Sequence, residues 1–387
     1  MKKKIAILGS TGSIGKTLFN LLLREKEIFN VTLLTAHKSH KILLKQAKAL
    51  NVKNLIITNK KDYDALIKKT KKTNIKIYDS FDKLDKIFKT KVDYVMSSIA
   101  GIYGLEPTIK IIKFTKKIAI ANKESIICGW NLIQKQLKKH KTKFIPVDSE
   151  HFSIWYGLKN YKNTNLEKII ITASGGPFYK ISINRFKKIK VSDALKHPNW
   201  RMGKKISTDS ATMINKVFEV IEARKVFNVD YQNIKILIHP KSYIHAILKF
   251  NNGLTNIIVH DTTMKVPIFN TLFDNNDHKL KTNKININKL NNLDLNNVDL
   301  NRFPMIKLLK YLPNNHSLYE TVIVAANDKL VELFLNNKIQ FMDIQKHLFK
   351  IIKKKEFLKL KEKKPKNIND ITNLNNYVRL KIEENNI

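Results

Sequence analysis

The sequence predicts an α/β protein in which an N-terminal doubly wound parallel sheet is followed by a central α+β region and a C-terminal helical bundle. Three observations carry this prediction. Short β-branched runs alternate with helical patterns as far as Val147, a glycine-rich turn joins the first strand to the first helix, and apolar residues beyond Asn301 recur at helical spacing. At roughly 150 residues per domain, the 387 residues suffice for two to three domains.

The first strand is Ile5 to Leu8, the first helix Thr17 to Arg24 and the second strand Val31 to Thr35. Further strands are expected at Asn54 to Ile57, Ile75 to Tyr78, Tyr94 to Ser97, Ile118 to Ala121 and Phe144 to Val147. Helical segments between most of them make the sheet parallel, because parallel neighbours need a crossover connection. This N-terminal domain is placed at residues 1–147. A central domain, residues 148–273, holds strands at Lys168 to Thr172, Ile234 to Ile238, Ala246 to Phe250 and Leu254 to Val259, with Asn252-Gly253 as a hairpin turn. Residues 274–301 are rich in Asn and Lys and read as a loosely ordered linker. In residues 302–387, helices are expected at Leu318 to Leu335 and Phe341 to Lys354. A basic amphipathic helix over Ile351 to Lys364 should bury Ile352, Phe357 and Leu360.

Hydrophobic content of 43% and charged content of 27% place the chain among globular proteins and exclude a disordered or fibrous one. Its 72 basic and 32 acidic side chains give a net charge of +40, so nucleic acid must be weighed as a partner. The lysines are spread along the whole chain and accompany abundant Asn and Ile, which favours a solvated basic surface over a specific nucleic-acid site. Such a surface still steers anions, including a phosphorylated small molecule. The lone Cys128 can form no internal disulfide, and a reducing, cytoplasmic location is expected. No apolar run of about eighteen residues is present to span a membrane.

Gly9-Ser10-Thr11-Gly12-Ser13-Ile14-Gly15 lies where a Rossmann-like fold binds dinucleotide phosphates. Glycine lets the backbone approach pyrophosphate, and a helix N-terminus offers it free N–H groups. At the end of the second strand, His37-Lys38-Ser39 stands where an acid would grip a ribose hydroxyl, which favours a 2′-phosphate and hence NADPH. Asp148-Ser149-Glu150 follows the Phe144 to Val147 strand at the sheet's ligand-binding end. Asn215, Lys216 and Glu219 share one helical face through their three- and four-residue spacing. Taken alone, the first segment would be a helix cap and the second a wet surface pair. Brought together, Asp148, Glu150 and Glu219 would repel by about 4 kcal/mol per pair at ~4 Å. A cation relieves that, and oxygen-only ligands suit Mg²⁺ or Mn²⁺. Ser174-Gly175-Gly176-Pro177, His197 to Gly203 and Ser207 to Ser210 add hydroxyls, an imidazole and Trp200, a set suited to a phosphate ester beneath a mobile loop.

These segments together resemble the 1-deoxy-D-xylulose 5-phosphate reductoisomerases of the non-mevalonate isoprenoid pathway. The resemblance runs through GSTGSIG at Gly9, ANKES at Ala121, PVDSEH at Pro146, SGGPF at Ser174, HPNWRMG at His197, STDSATMINK at Ser207, EARKVF at Glu222 and LIHPKSYIHA at Leu237. A weaker match is VAANDKLVELFL at Val324. The resemblance implies a homodimer that binds a phosphorylated small molecule, NADPH and Mg²⁺ or Mn²⁺, and neither a membrane nor specific nucleic acid. It assigns Thr11, Gly12, Ser13, Ile14, His37, Lys38, Ser39, Asn122, Glu124 and Gly203 to the cofactor. Asp148, Glu150 and Glu219 are implied metal ligands and, with Lys123, catalytic residues. Lys123, Ser149, Glu150, Ser174, His197, Ser210, Asn215, Lys216 and Glu219 are implied substrate contacts, and Trp200 and Met202 lid residues.

The implied reaction rearranges 1-deoxy-D-xylulose 5-phosphate through a retro-aldol and aldol sequence and reduces the resulting aldehyde to 2-C-methyl-D-erythritol 4-phosphate. Several positions depart from the family pattern. His37 replaces a small glycine, Lys196 and Lys265 stand where Arg is common, Thr263 replaces an acid, and Ala326-Asn327-Asp328 varies an ANE pattern. Lysine cannot reproduce the arginine fork. Two other readings are a nucleic-acid binder on a retired enzyme fold and an NADP-dependent dehydrogenase without rearrangement, whose turnover would not depend on the carboxylates.

Overall fold

The structure, a computed structural model, describes residues 2–159, 161, 165–273 and 278–384. Seven parallel strands form the first sheet: β1 (Lys3–Leu8), β2 (Phe29–Ala36), β3 (Asn54–Ile57), β4 (Lys76–Tyr78), β5 (Tyr94–Ser97), β6 (Lys117–Ile120) and β7 (Lys143–Pro146). Each overlaps an expected strand. Their spatial order is β4-β3-β2-β1-β5-β6-β7. The order reverses between β1 and β5, and the crevice beyond the carboxyl ends of those strands is where such sheets bind ligands. Ile5, Ile7, Leu8, Val95 and Met96 are fully buried, as expected of strands covered by helices on both faces.

A second sheet holds β8 (Leu166–Ala173), β9 (Ile234–Ile238), β10 (Ile244–Phe250), β11 (Thr255–Val259) and β12 (Asn296–Asn297), in the order β11-β10-β8-β9-β12. Only β8 and β9 run parallel; the other pairs are antiparallel. The Asn252-Gly253 turn is present, with Gly253 at φ 86° and its N–H donating to Phe250 O at 3.0 Å.

The chain divides into two compact units. The first comprises Met1–Ser125, Leu132–Asp148 and Met264–Lys281, and the second Ile126–Asn131, Ser149–Thr263 and Thr282–Ile387. The expected boundary at residue 273 is therefore displaced. The helix Lys265–Leu272 belongs to the first unit because Ile268, Phe269, Leu272 and Phe273 join the core of Leu18, Leu22 and Phe29. The C-terminal helices Tyr319–Leu335, Phe341–Ile352 and Ile368–Glu384 share the second unit with the second sheet instead of standing apart as a domain of 302–387.

The expected linker is also more ordered than its composition suggests. Among its described residues are the helix Ile287–Asn291, whose first turn Asn286 caps, and β12, which pairs with β9. The single basic helix expected over Ile351 to Lys364 is replaced by three pieces. One helix ends at Ile352, a short one covers Lys355–Leu358, and a 3₁₀ turn covers Lys359–Glu362. Ile352 and Phe357 are buried and Leu360 half-buried, so breaking the helix keeps the anticipated apolar contacts. No described helix is long and apolar enough to cross a membrane.

Candidate active site

In the first unit, the glycine-rich turn leaves β1 and enters the helix Ser13–Leu22. Gly9 has φ 81°, and a β-carbon there would stand 2.9 Å from Ser98 O at the end of β5. Only glycine allows the turn this close to the neighbouring strand. Thr35 fixes the turn from β2, its Oγ1 accepting from Gly9 N at 3.0 Å and its carbonyl from Ser10 N at 2.9 Å. Gly12 caps the helix without a side-chain acceptor, and no acid occupies the first turn. The first N–H groups therefore face outward beside Thr11, Ser13 and Ile14, where an anion can take them.

At the end of β2, His37, Lys38 and Ser39 are all exposed. The His37 ring lies beside Thr58, its Nδ1 2.9 Å from the hydroxyl, and so is anchored on the loop after β3. Asn122 caps the helix Lys123–Lys139 by accepting from Ser125 N at 2.8 Å, and its amide nitrogen donates to the carbonyls of Ile99 and Gly101. That commitment fixes the helix start bearing buried Lys123 and Glu124. Lys123 Nζ lies 3.0 Å from Asp148 Oδ2. Gly203, Met202 and Trp200 belong to the second unit, apart from the other expected cofactor residues in the sequence of units.

In the second unit, the helix Ser149–Gly157 carries Ser149 and Glu150 in its first turn, with Ser149 Oγ donating to Glu150 Oε2 at 2.6 Å. The helix Ile214–Phe227 carries Asn215, Lys216 and Glu219. Lys216 Nζ donates to Glu150 Oε1 at 3.0 Å and to Glu219, and Asn215 Nδ2 donates to the other Glu219 oxygen. Lys216 is 5% and Glu219 1% exposed, so one ammonium links two carboxylates away from water. Glu150 and Glu219 of the second unit are thus gathered on one ammonium, and Asp148 of the first unit lies beside Lys123. Carboxylates offering only oxygen suit a divalent hard cation, and one fixed ammonium alone does not balance the charge of Glu150 and Glu219.

Ser174 ends the β8 run, and His197 lies beyond it in the chain. Nδ1 of His197 accepts from the N–H groups of Asn199 and Trp200 at 3.1 and 2.9 Å. Its proton is thereby placed on Nε2, which donates to Ser174 Oγ at 3.0 Å. Ser174 Oγ also accepts from Gly176 N at 3.0 Å, leaving its own O–H to donate to a ligand. Burial, aided by the Lys216 charge, pushes the His197 pKa down to about 4, so the ring stays neutral. Asn199 ties the loop to the residues before β10 through Pro240 O at 2.6 Å and Ser242 Oγ at 2.8 Å. The Trp200 ring meets His245 edge-on.

Ser210 lies on the helix Lys204–Thr212, and Gly176 approaches it so closely that a β-carbon would stand 2.9 Å from its carbonyl oxygen. Met213, at φ 67°, breaks this helix from Ile214–Phe227. The break sets Ser210 and Asn215 on separate helices.

Sequence reasoning passed over His151 and Glu222. His151 is fully buried, with Nε2 donating to Glu219 O at 2.8 Å and Nδ1 3.4 Å from Glu222 Oε2. It thus holds the backbone of the residue bearing the Glu219 carboxylate. The available signal was spacing, since Glu222 follows Glu219 by three on one helix.

A phosphate-ready glycine turn on a doubly wound sheet, together with an acid-and-lysine site, defines a dinucleotide-dependent oxidoreductase assisted by a divalent cation. Family models described as 1-deoxy-D-xylulose 5-phosphate reductoisomerase match residues 5–129, and those of its C-terminal domains match 144–227 and 260–381. The chain is 58% identical over 98% of both chains to the 1-deoxy-D-xylulose 5-phosphate reductoisomerase of Pelagibacter ubique. It is 39% identical to that of a Wolbachia pipientis strain over 88% of each chain. A Zymomonas mobilis reductoisomerase solved with NADPH superposes with a TM-score of 0.88 at 30% identity, covering 100% of this chain and 99% of that one. A reductoisomerase solved with NADPH, fosmidomycin and magnesium gives 0.90 at 29% identity, covering 99% and 98%.

The chain belongs to the 1-deoxy-D-xylulose 5-phosphate reductoisomerase family. It is an NADPH- and metal-dependent oxidoreductase that converts 1-deoxy-D-xylulose 5-phosphate to 2-C-methyl-D-erythritol 4-phosphate in isoprenoid precursor biosynthesis.

Proposed function

We propose that this reaction is carried by Lys123, Asp148, Glu150 and Glu219, with the carboxylates as ligands of Mg²⁺ or Mn²⁺. The observation that supports this reading best is the buried Lys216 ammonium between Glu150 and Glu219. When bound, the cation supplies Lewis acidity at the substrate's carbonyl and hydroxyl oxygens. Asn215 and Lys216 orient the Glu219 carboxylate, and Ser149 orients that of Glu150. Lys123, held by Asp148, sets a positive charge where negative charge develops during rearrangement.

Ser174, His197, Ser210, Asn215 and Lys216 bind the substrate, with hydroxyl, amide and ammonium donors for its phosphate. Thr11, Gly12, Ser13 and Ile14 receive the pyrophosphate of NADPH; His37, Lys38 and Ser39 serve its 2′-phosphate; Asn122, Glu124 and Gly203 complete the site. Trp200 and Met202 belong to a loop that excludes water. The chain acts as a homodimer through β11, the edge strand of the second sheet, where Ile257 is 49% exposed and Leu254, just before the strand, 53%. A reducing cytoplasm agrees with the single, buried Cys128.

The test is NADPH oxidation driven by 1-deoxy-D-xylulose 5-phosphate with and without Mg²⁺ or Mn²⁺. Turnover should require the cation, and Glu219→Gln should lower it by about 100-fold or more. Activity of that variant near wild type would refute the carboxylate assignment and favour a dehydrogenase without rearrangement.

A further inference from the structure

The second unit contains an open cleft of about 910 Å³, between Ile189–Ser192 and the turn joining the helices Tyr319–Leu335 and Phe341–Ile352. None of the residues assigned to the reaction lines it. Lys190, Lys338 and Lys350 form its rim, and among the described residues none of the three is paired with a carboxylate. The one acid on the wall, Asp343, accepts from Gln340 N at 2.9 Å and so caps its own helix. Three ammonium groups against one carboxylate leave a surplus of two positive charges, which matches a doubly ionised phosphate monoester.

Two further features separate this cleft from lysines scattered on a basic surface. His347 points an enclosed Nδ1 at no hydrogen-bond partner, and such an atom ordinarily has one. Burial, with Lys346 and Lys350 nearby and only Asp343 opposing, holds its pKa below the usual imidazole value, and an anion seated beside it would act in the opposite direction. The wall is also partly apolar, with Phe334 buried and Ile339 half-buried. The volume lies within the range of about 300–1,000 Å³ typical of small-molecule sites. A bare inorganic ion would leave most of it unfilled.

We propose that this cleft binds an organic phosphate, its phosphate held by Lys190, Lys338, Lys350 and His347 and its apolar body lying on Phe334 and Ile339. The site is separate from the substrate phosphate position. The ligand is a second small molecule of the same charge class.

Phenyl phosphate titrated into the full-length protein tests this, with binding followed by calorimetry and the His347 ring by ¹⁵N NMR. His347→Gln assigns the ring signal. Wild type should bind two equivalents, one at the substrate site and one in the cleft, and the His347 resonance should move toward its protonated position. The triple variant Lys190→Ala, Lys338→Ala, Lys350→Ala should bind one equivalent while keeping turnover within about twofold, because these lysines lie outside the reaction site. Inorganic phosphate should bind the cleft at least tenfold more weakly. The proposal is overturned by equal stoichiometry in wild type and triple variant, by a His347 signal unmoved at saturation, or by equal affinity for the two phosphates. Weak binding that added salt screens equally in both proteins would mark general attraction to a basic surface and would also overturn it.

Discussion

His197 shows how much of the site is set by hydrogen-bond direction. Two backbone N–H groups claim Nδ1, so the neutral tautomer is dictated by its own loop. With a folded pKa of about 4 against about 6.5 in an unfolded chain, the unfolded state takes up a proton first as the pH falls. The stabilisation is complete above about pH 6.5 and is lost as the pH falls toward 4. ¹⁵N spectra should show Nδ1 unprotonated at pH 5.5, and His197→Gln should lose less stability than wild type between pH 6.5 and 4. Equal losses in urea titrations would contradict this assignment. Some residues were legible from spacing alone, because Asn215, Lys216 and Glu219 must share a face once the helix forms. The His151–Glu222 contact was not, since it joins two helices and nothing in either segment specifies the approach.

Among the elements, the loop after β8 is governed by one backbone position. Gly176 has φ 64° and packs on the start of the Ser210–Ala211 segment. Gly176→Ala adds a methyl against that backbone in a conformation alanine resists, and should cost about 1–3 kcal/mol. Its KM for the phosphorylated substrate should rise more than its kcat falls, because the displaced groups are those proposed to bind the phosphate. An unchanged KM would separate the loop from substrate binding. Arg302 braces the same loop, its Nη1 donating to the carbonyls of Phe178 and Ile181.

At this scale the sequence was most readable where patterns are local. All seven parallel strands lie where β-branched runs ended at turn residues. The break after Ile352 was hidden because apolar spacing continues across it while the backbone turns. Asn296 and Asn297 were hidden for the opposite reason: an edge strand held by two residue pairs leaves almost no pattern in its composition.

For the whole molecule, the excess of lysine raises solubility and attracts anions without specifying the fold. The β11 edge is the place where association can be tested. Ile257→Asp puts a charge on that exposed edge and should turn the proposed dimer into a monomer in sedimentation velocity, with the folded far-UV spectrum retained. A wild-type chain that sediments as a monomer, or a variant with an unchanged sedimentation coefficient, would refute association through this edge. Domain boundaries were the least legible feature, because a chain segment that returns to an earlier unit looks like any other helix.

That return has a consequence for biogenesis. Phe273 lies against Phe29 with ring centroids 5.5 Å apart, and Thr271 shares a 2.8 Å hydrogen bond with the buried Tyr94 hydroxyl. Until the segment containing them leaves the ribosome, the dinucleotide-binding half has a bare oily flank, long after its last strand is complete. A fragment of residues 1–148 should therefore bind hydrophobic dyes and clump, and supplying the 264–281 peptide in trans should suppress both. A fragment that stays dispersed and dye-silent on its own would show that the late segment is dispensable for the early one. The interval of exposure is set by the order of segments along the polypeptide, since about 115 residues separate Asp148 from Met264.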